Sequence, residues 1–144
     1  MSAPAVKEIY HCFRVDAPPE RVLRALTGKD GLAGWWTKGL EHEGGVGSIS
    51  TFRFSSGAFN RMKIIKAGPD RVEWFCVDGH DEWKGTHLIF ELRIREKGTT
   101  ICFSHFGFAE QTVYVGECSF HWAHYLMSLK ELCEKGSGFP NEGP

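Results

Sequence analysis

The sequence predicts one α+β domain in which an antiparallel sheet of about six strands wraps a long C-terminal helix, with two short helices after the first strand. Three observations carry that prediction. Apolar residues alternate with polar ones through most of the chain, a proline-opened helical segment follows the first alternating run, and apolar residues near the end recur every three or four positions. A chain of 144 residues, 42% of them hydrophobic, can bury one core and does not need a second. The domain is read as 6–136, followed by a tail over 137–144.

Ile9, His11, Phe13 and Val15 alternate with Tyr10, Cys12 and Arg14, the period of a strand with one covered face. Asp16-Ala17-Pro18-Pro19-Glu20 then offers a capping side chain, prolines where a first helical turn has no use for N–H donors, and an acid near the positive end of the dipole. Val22, Ala25 and Leu26 form that helix's inward stripe, and Gly28 lets it stop. A second short helix opens at Asp30 and carries Leu32, Trp35 and Trp36.

From Gly44 the period returns to two. Phe52 and Phe54, then Asn60 to Ile64, read as hairpin strands, and Gly68-Pro69-Asp70 is a turn. Val72, Trp74 and Cys76 alternate with Arg71 and Glu73, as Thr86, Leu88, Phe90, Leu92 and Ile94 do with His87, Glu91, Arg93 and Arg95. Asp78 to Glu82 is a polar loop, and Lys97-Gly98 turns the chain into a last strand, Thr99 to Gly107, with Ile101, Phe103 and His105 in phase. From about Gly116 to Lys135, Trp122, Tyr125, Leu126, Leu129, Leu132 and Cys133 repeat with helical spacing. About twenty residues at ~1.5 Å each make a rod of ~30 Å, enough to cross a six-stranded sheet. Gly136, Gly138 and Pro140 end it, and the tail is predicted to fray.

Composition excludes several classes of partner. Net charge is −1, with 17 basic and 18 acidic residues and no long run of either sign, so neither nucleic acid nor an anionic membrane finds an electrostatic footprint. The longest apolar stretches fall far short of the ~20 residues that cross a bilayer, so no membrane insertion is predicted. Met1 to Val6 lack the basic opening and apolar block of a secretory signal, which gives a cytoplasmic location. The five cysteines have no C-x-x-C spacing and read as buried free thiols. Five Trp and 11 Phe exceed what a minimal core requires, so the excess rings either fill space or line a pocket.

Phase places Trp35, Phe52, Phe54, Met62, Trp74 and Cys76 on the inner side, with Thr86, Leu88, Phe90, Phe103 and His105 from later strands and Trp122 and Leu126 from the helix. These thirteen are the predicted ligand-binding positions, with Thr86 and His105 as the inward polar groups that would orient a ligand. His105 reads either as a satisfied core residue or as a polar contact inside the pocket. His121 with His124, and the loop group His80, Asp81 and Glu82, have metal-like spacing but no clear third ligand, so no metal and no cofactor are expected. Ser104 points to the other sheet face, and no G-x-S-x-G elbow or phosphate-cradling glycine pattern occurs.

Ala17-Pro18-Pro19-Glu20-Arg21-Val22 with Ala25-Leu26-Thr27, then Gly34-Trp35-Trp36-Thr37, resembles the opening of the family named for the activator of the heat-shock protein 90 ATPase. Arg71-Val72-Glu73-Trp74, Trp83-Lys84-Gly85-Thr86, Phe90-Glu91-Leu92, Phe103-Ser104-His105-Phe106-Gly107 and His121-Trp122 continue the likeness over nearly the whole chain. That family belongs to the START/Bet v-like superfamily, whose helix-grip fold holds sterols, lipids, polyketides or other mostly apolar molecules. The resemblance thus implies a cavity between sheet and terminal helix that binds a small apolar molecule. It leaves open a pocket enzyme, cyclase- or hydrolase-like, with His105 as acid or base, a contact with a chaperone, and a homodimer. The eukaryotic co-chaperone pairs this domain with a separate N-terminal one. Here the grip domain begins within the first ten residues, so weak or no stimulation of the chaperone's ATPase is expected.

Overall fold

The protein is described by a computed structural model over residues 8–144. Its elements are β1 (Glu8–Val15), α1 (Pro19–Thr27), α2 (Lys29–Trp35), β2 (Gly39–Glu41), β3 (Ile49–Arg53), β4 (Phe59–Ala67), β5 (Arg71–Asp78), β6 (His87–Arg95), β7 (Gly98–Phe106) and α3 (Val113–Lys135). The seven strands form one antiparallel sheet in the order β1-β7-β6-β5-β4-β3-β2, with α3 packed on it, so the predicted α+β helix-grip architecture is the observed one. The strand beyond the expected six is β2, whose three residues are too short to display a period.

Alternation sets which face is covered. On β5 the residues Val72, Trp74 and Cys76 are buried, and on β6 Leu88, Phe90 and Leu92 are. Ile94 keeps that phase, yet is exposed at 72% because no other described residue covers the far end of β6. The outer face of β1 and β7 places Cys12 opposite Cys102, and Cys12 alone of the five thiols is exposed.

Helix α1 begins as the prolines dictate, with Pro18 extended at the N-cap and Pro19 in the first turn. No side chain caps it. Asp16, expected in that role, ion-pairs with Arg14 at 3.2 Å and its backbone N–H donates to Glu134 at 2.8 Å, tying the end of β1 to α3. On α3 the residues Val115, Cys118, Trp122, Leu126, Leu129 and Cys133 are buried. Thr112 caps that helix through the N–H of Val115, and its own hydroxyl donates to Glu82 at 2.6 Å. The cap starts α3 one turn earlier than its apolar repeat does.

The tail does not fray. Phe139 N–H donates to Ser128 Oγ at 2.7 Å, Asn141 N–H to Trp36 O at 2.8 Å, and Lys38 N–H returns to Asn141 O at 3.0 Å. The Asn141 side chain accepts from Ser55 N–H at 2.9 Å. Its Gly- and Pro-rich composition reads as loose, but the chain around Trp36 to Lys38 and Ser55 has free backbone groups for it to satisfy. Gly138 makes the approach possible, since a Cβ there would stand 2.7 Å from the carbonyls of Gly34 and Ser128.

Candidate functional site

One cleft of about 840 Å³ opens between the N-terminal half of α3 and the sheet. One wall is α3, through Tyr114, Cys118, Trp122 and Tyr125, with Phe120, His121 and His124 at the mouth. The other is the β3–β4 hairpin, from Phe54 through Ser56 to Asn60. The loop after β5 contributes His80 and Trp83, while Trp36 and Asn141 close the inner end. Rings dominate, because the helical repeat of α3 turns Tyr114, Trp122 and Tyr125 toward the space that Phe54 and Phe59 bound from the β3–β4 hairpin.

Behind the cleft lies a close-packed ring cluster with Trp36 at its centre. The Trp36 ring is 4.3 Å from Phe52, 5.8 Å from Trp74 in a parallel stack, 5.2 Å from Trp122 and 5.7 Å from Phe54. Trp83 stacks on Trp122 at 6.0 Å, and the His80 ring lies flat on Tyr114 at 3.8 Å. Among the described residues no group of three or more His, Cys, Asp or Glu side chains is placed to hold a metal ion.

The hydrogen bonds of His105 fix its tautomer. An indole N–H can only donate, so Trp122 Nε1, 3.1 Å away, makes Nδ1 the unprotonated nitrogen. Nε2 then carries the hydrogen and donates to Thr86 Oγ1 at 2.9 Å, whose hydroxyl passes on to the Trp83 carbonyl at 2.5 Å. One directed chain therefore links α3, β7, the start of β6 and the loop after β5. His105 is fully buried, and burial pushes its pKa down to about 3. It is a neutral anchor with both nitrogens engaged, not a free acid or base.

Of the thirteen predicted positions, Phe54 and Trp122 line the cleft. Thr86 and His105 stand directly behind Trp83 and Trp122 as the chain just described. Phe52, Trp74, Phe90 and Phe103 form the ring layer beneath. Trp35, Met62, Leu88 and Leu126 are fully packed, with Trp35 Nε1 donating to Ala25 O at 2.8 Å. Cys76 donates weakly to Asp78 O at 3.3 Å, and burial pushes its thiol up to about 11. Burial likewise raises the pKa of Cys118 and of Tyr114, so neither offers a ready thiolate or phenolate.

Trp36, Trp83, Tyr114 and Tyr125 were not among the predicted site positions. Trp36 lies one residue beyond α2, where helical phase no longer says which of two neighbouring tryptophans faces inward. Trp83 follows a polar loop, and a large ring in that setting is the signal that something covers it. Its indole N–H meets Cys118 Sγ at 3.3 Å.

A seven-stranded antiparallel sheet closed over one long helix, with an aromatic cleft between them, defines a helix-grip protein of the SRPBCC type. Residues 16–134 match the family described as activator of Hsp90 ATPase homolog 1-like protein, and the chain belongs to that family. It is similar to the Aha1 dimer of Colwellia psychrerythraea, solved in solution, with 36% identity and a TM-score of 0.83 over 91% of this chain and 98% of that one. Protein MLL2253 of Mesorhizobium loti shares the fold at 19% identity and a TM-score of 0.76, covering 88% of this chain and 96% of that one. Protein CV1439 of Chromobacterium violaceum does so at 24% and 0.71, covering 89% and 97%. No protein of curated function matches the sequence. No helix among the described residues is long and apolar enough to cross a membrane.

Proposed function

We propose that the chain binds a small, mainly apolar, ring-containing molecule in the cleft between α3 and the β3–β4 hairpin. The observation that carries this reading is the cleft itself, about 840 Å³ walled by aromatic side chains, with Asn60, Glu117, His121, His124 and Asn141 among the polar groups around it. That volume and that lining are those of small-molecule sites, in which few polar groups set orientation. Because both nitrogens of His105 are occupied, binding is favoured over a cyclase- or hydrolase-like reaction with that residue as acid or base.

Native mass spectrometry of freshly purified protein is expected to reveal a co-purified small molecule. A naphthalene sulfonate dye or a sterol should change the intrinsic fluorescence, since Trp36, Trp83 and Trp122 all line the cleft. Phe54→Ala and Tyr125→Ala, both at half-buried positions, should weaken dye binding by about tenfold or more while the fold survives. If neither probe moves the fluorescence and nothing co-purifies, the cleft is packing space and the reading fails.

A second reading is self-association, favoured by the dimeric state of the 36% identical Aha1 from Colwellia psychrerythraea. The family's description names an Hsp90 ATPase activator homologue, so chaperone contact is a separate reading, tested by ATPase stimulation with the purified chain.

A further inference from the structure

We infer that the solvent-facing stripe of α3 is the surface on which a second copy of this chain docks, antiparallel about a two-fold axis at Phe120, so that each copy roofs the other's cleft mouth. The inference rests on the self-association reading and names its surface. Val113 is 81% exposed, Phe120 77% and Met127 47%, and the small exposed residues Gly116 and Ala123 sit between them. Their three-four-three-four spacing is the seam pattern of paired helices. It lies on the side of α3 away from Val115, Cys118, Trp122, Leu126 and Leu129, so the helix is apolar on two faces. A helix with one buried face ordinarily presents charge on the other. Here Glu117 is the only formally charged residue from Val113 to Leu129, and Lys130, Glu131, Glu134 and Lys135 crowd the last turns.

The pattern is complementary to itself. Val113 and Met127 are equally far from Phe120 along the helix, as are Gly116 and His124. A two-fold axis at Phe120 therefore pairs Val113 with the partner's Met127, and the small residues leave room for the two Phe120 rings to meet. Glu117 then stands beside the partner's His124 and His121, an acid facing imidazoles, and no Lys or Arg in the stripe opposes a like charge. The stripe is ~21 Å long, which covers a few hundred Å² per copy against the roughly 800 Å² per partner of a standard interface. Phe139, 43% exposed with its ring tilted against that of His124 at 5.0 Å, extends it. An interface of this size gives a dimer that dissociates on dilution. Phe120, His121 and His124 also line the cleft mouth, so the docked copy completes the site as well as covering the stripe.

Sedimentation velocity across about two decades of concentration around the micromolar is expected to show a monomer–dimer equilibrium. The double variant Val113→Glu, Met127→Glu, at exposed positions that do not line the cleft, should weaken dimerisation by about tenfold or more through facing like charges, with an unchanged circular dichroism spectrum. In a Cys12→Ser background, Phe120→Cys should form a disulfide-linked dimer when diamide takes two hydrogens from the paired thiols, whereas Ile94→Cys should not. A dimer that survives the double variant, with Phe120→Cys left uncrosslinked, overturns this surface and spares the self-association reading. A wild-type monomer at every concentration overturns both.

Discussion

His105 shows how one side chain can decide what a cavity does. A histidine in phase with Ile101 and Phe103 invites a catalytic reading, but its surroundings leave it no lone pair or proton to offer. The same arrangement makes a pH prediction. The folded pKa, about 3, lies below the ordinary value of ~6.5 for an unfolded histidine. The unfolded chain therefore takes up a proton as pH falls through ~6.5 while the native protein refuses it until about 3. Stability from this group is present above pH ~6.5 and drains away below it, by at most ~1.4 kcal/mol per pH unit. His105→Gln keeps a donor and an acceptor at the site. It should lower stability at pH 7 by about 1–3 kcal/mol, and should flatten the fall in stability between pH 6 and pH 4 by about one proton. Urea midpoints for both proteins at each pH decide it, and parallel curves would show that His105 titrates normally.

At the scale of elements, the tail is the feature that joins parts made far apart in the chain. Asn141 bonds to the segment after α2 and to the β3–β4 turn at Ser55, and Phe139 to α3, so three segments that bound the cleft share one strap. Gly138→Ala would press a methyl group against two backbone carbonyls that cannot yield cheaply. It should cost about 1–3 kcal/mol and should speed hydrogen exchange at Lys38 and Ser55, whose N–H groups Asn141 holds. Unchanged protection at those two amides would mean that the tail contributes nothing to holding them. None of this was legible in Gly-Ser-Gly-Phe-Pro-Asn, because composition reports what a segment can do alone, not which unpaired carbonyl lies beside it. The strands from β4 to β7 were legible, since their two-residue period is imposed by one buried face. The site was legible only as a neighbourhood. Phase separated inner from outer side chains, but depth along the inner face, which distinguishes Phe54 at the cleft from Phe52 in the packed layer, is set by where α3 crosses the sheet.

For the whole molecule, nearly balanced charge and a helix apolar on two sides leave little electrostatic repulsion to keep copies apart. The sheet adds a different constraint. Its meander from β2 to β7 is built of consecutive neighbours, but β1 joins at the far edge, with Glu8 opposite Phe106 and Val15 opposite Thr99. Closing that pair means ordering nearly the whole chain first, so folding belongs to the millisecond-to-second range of topologies dominated by distant contacts. Stopped-flow refolding followed by tryptophan fluorescence should show that, and a rate near that of helical bundles, in microseconds, would contradict it.

The β1–β7 pairing also sets a timetable during synthesis. β1 leaves the ribosome well before β7, with Ile9, Phe13 and Val15 along one side, and its partner strand is about ninety residues behind it. At about 5–20 residues per second, that interval is roughly 5 to 20 s. For those seconds β1 is an unpaired, half-greasy ribbon whose backbone is open on both edges, and other newly made chains can reach it before β7 does.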